Sequence, residues 1–189
     1  MEIVVFHSMW GLRPVEVAAA ERLRSLGYQV SLPDLFDGRT APGEIEAGFA
    51  LMEEIGWSTI TDRAYDALSQ VSDNAVLIGF SMGVGVIGQI WPDRLAAKAV
   101  ACLHAPASVP SGVRSGTPVQ LHYAAGDRFV PPEQVVEFRR SAEAAGAVAL
   151  IREYDDAGHY FTDESHPDHS PAATTGAWSD LLDMLRSVR

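Results

Sequence analysis

The sequence predicts an α/β fold, a mostly parallel sheet with helices on both faces. Three observations carry this. Short apolar, β-branched runs alternate with longer segments of helical periodicity, as strand–helix–strand crossovers require. Strand runs such as residues 3–6 and 75–80 are apolar without alternation, as strands covered on both faces are. The chain has 189 residues, 47% apolar and 21% charged, which suffices for one core and leaves little for a second. One domain over residues 1–189 is therefore expected.

Residues 3–7 are β-branched, apolar and followed by a loop, and read as a buried strand. Residues 14–26 read as a helix opened by Pro14 and stopped by Gly27. Its stripe is Val15, Ala18, Ala19, Leu23 and Leu26, with Glu16, Glu21, Arg22 and Arg24 off it. Residues 28–32 form the second strand, and residues 37–43 a turn-rich loop. Two helices follow. Residues 44–55 place Ile45, Phe49, Met52 and Ile55 on one side, and residues 58–71 carry Ile60, Ala64, Ala67, Leu68 and Val71. Residues 74–80 are an apolar strand. Residues 82–90 carry no charge and read as a helix buried at the centre of the fold. Residues 97–103 and 119–123 are strands. Residues 131–145 are a helix with Val135, Val136 and Phe138 inward, residues 147–154 the last strand and residues 172–188 the last helix. That makes about six strands, with no internal repeat and no linker; residues 165–171 are a loop rather than a boundary.

The composition excludes several function classes. Fourteen Lys+Arg stand against 25 Asp+Glu, a net charge of −11, so no cationic excess exists to neutralise phosphates and no nucleic-acid partner is expected. The apolar content rules out intrinsic disorder. The single Cys102 cannot form an internal disulfide, which is compatible with a reducing compartment, and reads as a small core residue. No basic n-region precedes residues 3–6, so they are no signal peptide, and no stretch approaches the ~20 apolar residues that cross a bilayer. A cytoplasmic protein without a membrane partner is expected, as monomer or homodimer. Gly83, Gly85 and Gly88 do not follow the order of a dinucleotide fingerprint, and no cofactor is expected.

The segment Gly79-Phe80-Ser81-Met82-Gly83 fits G-x-S-x-G, directly after a predicted strand and directly before a predicted helix. A serine presented on so tight a turn meets both a base and a substrate. Glycines two positions to either side remove side chains that would collide where strand and helix converge. The helix also aims its free N–H groups at the same spot. The base and its orienting carboxylate follow in the order Ser, Asp, His, each past a later strand. Asp127 in Ala125-Gly126-Asp127 and His159 in Ala157-Gly158-His159 fill those places. Ser81 is then the nucleophile, His159 the general base and acid, and Asp127 the group that fixes the imidazole tautomer. Asp155 and Asp156 lie too near His159 to come from a separate strand end, and His7, His104, His122, His166 and His169 read as structural or exposed. The backbone amides of Met82 and of Met9, the latter on the loop after the first strand, are the candidate oxyanion donors. Trp10, Phe36, Phe129, Tyr160 and Phe161 flank these positions and are the expected pocket lining. His159, Asp163, Glu164, His166, Asp168 and His169 match no zinc signature, and Pro167 interrupts a helical presentation; no metal is expected.

The runs Phe6-His7-Ser8-Met9-Trp10-Gly11-Leu12-Arg13-Pro14, Leu32-Pro33-Asp34-Leu35-Phe36-Asp37-Gly38, Gly79-Phe80-Ser81-Met82-Gly83, Gly126-Asp127 and Gly158-His159-Tyr160-Phe161 together resemble the dienelactone hydrolase family of α/β-hydrolases, over nearly the whole chain. The resemblance implies a compact α/β-hydrolase fold without a large cap domain, acting on esters or lactones without a cofactor; small thioesters are compatible with acyl transfer to Ser81 as well. The chain departs from the family's best-known members in three ways. Ser81 stands in place of a cysteine nucleophile. Ser8 stands in place of a first-loop glutamate that attends the resting thiol, a change consistent with the first. Tyr160-Phe161-Thr162-Asp163-Glu164 follows His159 without the arginine that binds a substrate carboxylate there, which argues against an anionic dienelactone; Arg39 and Arg128 read as solvated surface groups. The expected activity is acyl transfer to water. The competing expectation is a non-catalytic protein of this fold that binds a small ligand or a partner.

Overall fold

The computed structural model describes residues 1–189. Six parallel strands form one sheet: β1 (Glu2–Phe6), β2 (Gln29–Ser31), β3 (Val76–Phe80), β4 (Val100–Leu103), β5 (Pro118–Ala124) and β6 (Val148–Tyr154), in the order β2-β1-β3-β4-β5-β6. The order reverses direction at β1, and β3, which carries Ser81 at its end, pairs with β1 on one side and β4 on the other. The strand ends therefore deliver their loops to one edge, beside that switch point, where parallel sheets bind ligands.

Six helices cover the sheet: α1 (Pro14–Ser25), α2 (Ile45–Ile55), α3 (Trp57–Leu68), α4 (Met82–Ile90), α5 (Pro132–Ala145) and α6 (Pro171–Ser187). Strand side chains alternate between two cores. Val4, Phe6, Leu77, Val100, Cys102, Val119 and Leu121 pack with α2–α5. Ile3, Val5, Val76, Ile78, Phe80, Ala101 and Leu103 pack with α1 and α6. At β1, β3 and β4 both faces are buried, which explains why those strand runs are apolar, while the edge strands β2 and β6 stay partly exposed. No helix is long and apolar enough to cross a membrane.

The expected elements are present, with shifts at their ends and faces. α3 stops at Leu68, and Ser69–Val71 unwind through tighter three-residue bonds, so Val71 leaves the helical stripe. Val136 is 64% exposed because α5 faces inward with Val135, Phe138, Ser141 and Ala142, and Val136 lies about half a turn from Phe138. On α1 the buried face is Glu16, Ala19, Ala20 and Leu23, while Ala18 and Leu26 are exposed. The spacing is helical, but its first member is a carboxylate, which a hydrophobic stripe does not register.

Candidate active site

β3 ends at Phe80 and α4 begins at Met82, so the chain reverses within one residue. Ser81 takes φ 51° and ψ −108°, a strained conformation for a residue with a Cβ. Two glycines make the turn possible. A Cβ on Gly79 would lie 2.7 Å from the Val84 nitrogen, and one on Gly83 would overlap the Phe6 carbonyl of the neighbouring strand.

The loops after β5 and β6 bring the other two residues to Ser81. The His159 Nδ1–H donates to Asp127 Oδ2 at 2.5 Å, which leaves Nε2 with a lone pair to accept the Ser81 hydroxyl at 2.9 Å. Asp127 is held in turn by the Phe129 N–H, which donates to Oδ1 at 2.9 Å. The imidazole is wedged between Phe129 (ring centroids 5.0 Å apart) and Tyr160 (4.5 Å), both edge-on. Burial pushes the Tyr160 phenol up to about 12, so it remains a neutral hydroxyl.

Ser81 and His159 open on a cleft of about 240 Å³ lined by Met9, Phe49, Met52, Trp57, Met82, Gly85, Ala105, Pro106, Phe129 and Tyr160. No Asp, Glu, Lys or Arg side chain lines it. Met82 is the first residue of α4, whose N–H has no partner within the helix. Met9 lies in the turn closed by the Gly11 N–H on the Ser8 carbonyl at 3.3 Å. That turn is anchored from below. Glu16 Oε1 accepts from the Ser8 N–H at 3.1 Å and from its hydroxyl at 2.8 Å, and Oε2 accepts from the Arg13 N–H at 3.2 Å. The Arg13 guanidinium turns away to Asp163 at 2.6 Å and stacks over Trp10. Burial opposes ionisation of Asp163, but hydrogen bonds from Ser165 and the charge of Arg13 outweigh it and hold the carboxyl below its usual range.

Of the five aromatic residues expected in the lining, Phe129 and Tyr160 are there, and three are corrected. Trp10 is fully buried beside Tyr160 (4.0 Å), its Nε1–H donates to the Glu44 carbonyl at 3.0 Å, and Gly48 leaves room for its ring. Phe36 is fully buried on edge against His7. Phe161 follows Tyr160 and points to the opposite side of the sheet, against His104 and Tyr154. Proximity in sequence to the site put them in the core around it. Phe49, 44% exposed, and Trp57, 40% exposed, were missed as lining; their signal is a large apolar residue that the core leaves uncovered.

The remaining candidates have other partners. The His7 Nδ1–H donates to the Ser8 carbonyl at 2.7 Å and Nε2 accepts from the Leu35 N–H at 3.0 Å; burial lowers its pKa and keeps it neutral. His104 touches Thr162 Oγ1 at 2.8 Å, and burial, then the neighbouring His159 and His122, push it well below the ordinary range. Burial pushes the Cys102 thiol up to about 12, so it carries no thiolate at neutral pH. Of the carboxylates and histidines of residues 159–169, no three lie together, although His166 Nδ1 is 3.6 Å from Asp168 Oδ2. Asp163 holds Arg13, Asp168 Oδ2 accepts from the Tyr160 N–H at 3.1 Å, and His166 Nδ1 accepts from the Asp168 N–H at 3.1 Å. Arg39 pairs with Glu54, and Arg128 lies over the Phe129 ring.

Comparison with known proteins matches this chain to a family. The model of the dienelactone hydrolase family matches residues 1–189. A carboxymethylenebutenolidase from Pseudomonas sp. (strain P51) is 26% identical over 204 residues, covering 99% of this chain and 84% of that protein. Among solved structures, one named m3DLH superposes with a TM-score of 0.81 at 22% identity, covering 99% of this chain and 86% of its own. A dienelactone hydrolase-like promiscuous phosphotriesterase from metagenomic libraries superposes with a TM-score of 0.81 at 18% identity and the same coverage. The mouse alpha/beta hydrolase domain-containing protein 10 gives 0.64 at 14%, covering 97% of this chain and 90% of that one. At these identities the structures speak for the fold, which is that of the α/β-hydrolases, here without a large cap.

Proposed function

This chain belongs to the dienelactone hydrolase family, and we propose that it is a serine hydrolase that cleaves small, uncharged esters, thioesters or lactones through an acyl-enzyme on Ser81. One observation carries this reading. A hydroxyl, an imidazole and a carboxylate lie in series at 2.9 and 2.5 Å, and the hydroxyl opens on an apolar cleft.

In the proposed mechanism Ser81 Oγ attacks the substrate carbonyl while His159 Nε2 takes the hydroxyl proton. Asp127 stabilises the resulting imidazolium and remains ionised. The N–H groups of Met82 and Met9 donate to the oxyanion of the tetrahedral intermediate. On collapse the carbonyl re-forms, the bond to the leaving group breaks, and His159 returns the proton to the departing alcohol, thiol or ring oxygen. Water then enters, gives a proton to His159 and attacks the acyl carbon. The second collapse releases the acid and restores the Ser81 hydroxyl. The apolar lining supports a neutral acyl group, because a carboxylate there would be desolvated with no cation to meet it.

A panel of p-nitrophenyl esters and simple lactones tests the proposal. Wild-type protein is expected to hydrolyse short neutral members, and Ser81→Ala to lose roughly 10⁴-fold or more in kcat. Equal turnover by Ser81→Ala contradicts it, and so does a folded wild-type protein that a fluorophosphonate does not modify.

A further inference from the structure

Glu16 is 1% exposed and has no cationic partner, since the nearby guanidinium of Arg13 is committed to Asp163. Its charge is met instead by three donors, the Ser8 N–H, the Ser8 hydroxyl and the Arg13 N–H, and by the start of α1, where it occupies the third helical position. A helix cap requires only the bond to the Arg13 N–H and works on an exposed surface. The two bonds to Ser8 go beyond capping. They tie the far end of the loop to the same carboxylate, so that one side chain grips residues 8 and 13 and the loop between them cannot drift. Met9 lies within that span and lines the cleft beside Ser81.

From this we infer that Glu16 is a positioning residue for catalysis. It fixes the loop that carries the Met9 amide, and so it sharpens transition-state stabilisation without touching substrate. The inference rests on the proposed oxyanion role of that amide. Two effects of the charge compete. An anion beneath the loop repels a developing oxyanion, so on electrostatics alone its removal would speed the reaction. Loss of the grip displaces a donor, and a misplacement of ~1 Å at a catalytic group costs on the order of 100-fold. Geometry is the larger effect, and it has the opposite sign.

Glu16→Gln preserves shape and removes the charge, but its amide N–H₂ then faces one of the donors that the carboxylate accepted from. The expected result is a kcat lower by roughly 10- to 100-fold with KM within about twofold. Affinity for a trifluoromethyl ketone, which forms a tetrahedral adduct on serine, falls in parallel. Ser8→Ala removes only the hydroxyl bond and lowers kcat by about threefold. In the double variant the two effects are less than additive, because both act through one contact. Thermal melting of each variant establishes that it is folded. A folded Glu16→Gln with wild-type or higher kcat overturns the inference, as does a parallel rise in KM that accounts for the loss. If Glu16→Gln does not fold, Ser8→Ala decides alone, and an unchanged kcat overturns the inference. Ser81→Ala in the same assay separates the two failures: if it retains turnover, the serine-hydrolase reading has failed, whatever Glu16 does.

Discussion

Two buried histidines, His159 and His122, are 9% and 1% exposed, and each has both ring nitrogens bonded. Their partners differ. His159 donates to a carboxylate and accepts from a serine that opens on the cleft. His122 Nε2–H donates to the Gln120 amide oxygen at 3.1 Å, and Nδ1 accepts from the Tyr154 hydroxyl at 2.9 Å. Gln120 donates onward to the Asp180 carbonyl, and Arg152 pairs with the Asp180 carboxylate. Burial drives His122 down to about 4, against the pull of Asp180 and with the help of Arg152. An amide and a phenol satisfy a neutral ring but do not support a cation, whereas a carboxylate in contact supports the imidazolium that proton transfer creates. Burial and full hydrogen bonding therefore do not set the proposed catalytic histidine apart. An ionic partner on one side and an accessible hydroxyl on the other do.

The largest effect that tests this contrast comes from Asp127→Asn. The amide can donate to the ring, which favours the tautomer that puts the proton on Nε2 and blocks its role as base. We expect kcat to fall by roughly 10³- to 10⁴-fold with little change in KM. His122→Gln, assayed beside it, should stay within about twofold of wild type. Equal losses in the two variants would erase the distinction between the sites.

Much of this was legible in the sequence, for definable reasons. The strand runs around Ile3 and Val76 are apolar because both faces of the sheet are covered, and that makes them easy to find. Gly79, Ser81 and Gly83 are legible because the turn admits few other residues. That Asp127 and His159 come together at Ser81 follows from chain order. Glu16 was not legible, because a buried carboxylate on a helix stripe looks like a solvated one until its three donors are seen. The cleft walls were legible only in part. Phe129 and Tyr160 line the cleft as expected, but Phe49 and Trp57 come from α2 and α3, distant in sequence from Ser81, whereas Trp10, Phe36 and Phe161 fill the core.

Those walls yield a prediction of intermediate size. Gly85 follows Ser81 by about one helical turn, ~5.4 Å along α4, and the tip of Trp57 lies 3.2 Å from where a Gly85 Cβ would sit. An acyl chain laid along α4 therefore meets the indole about one turn from the nucleophile. Trp57→Ala is expected to raise kcat/KM for an octanoyl ester relative to a butanoyl ester by roughly tenfold, and Gly85→Ala to shift the ratio the other way. Unchanged ratios in both variants would remove Trp57 as the limit of the cleft.

The smallest effect on turnover belongs to His122, whose signature lies in stability. Its folded pKa of about 4 is below the unfolded value of ~6.5, so the unfolded state takes up the proton first. The stability that depends on a neutral His122 is fully present above pH ~6.5 and declines as pH falls toward about 4, by an amount on the order of 3 kcal/mol. His7 and His104 act in the same sense. Urea unfolding of His122→Gln between pH 7 and 4 should give a shallower decline than wild type. Parallel curves would show that His122 does not titrate in this way.

The central claim is a covalent one, and mass spectrometry addresses it directly. Wild-type protein mixed with a p-nitrophenyl ester and acid-quenched within the first turnover should gain the mass of one acyl group, on the peptide that contains Ser81, with a matching burst of p-nitrophenol. Turnover with no adduct, or with the acyl group on another residue, would contradict the account.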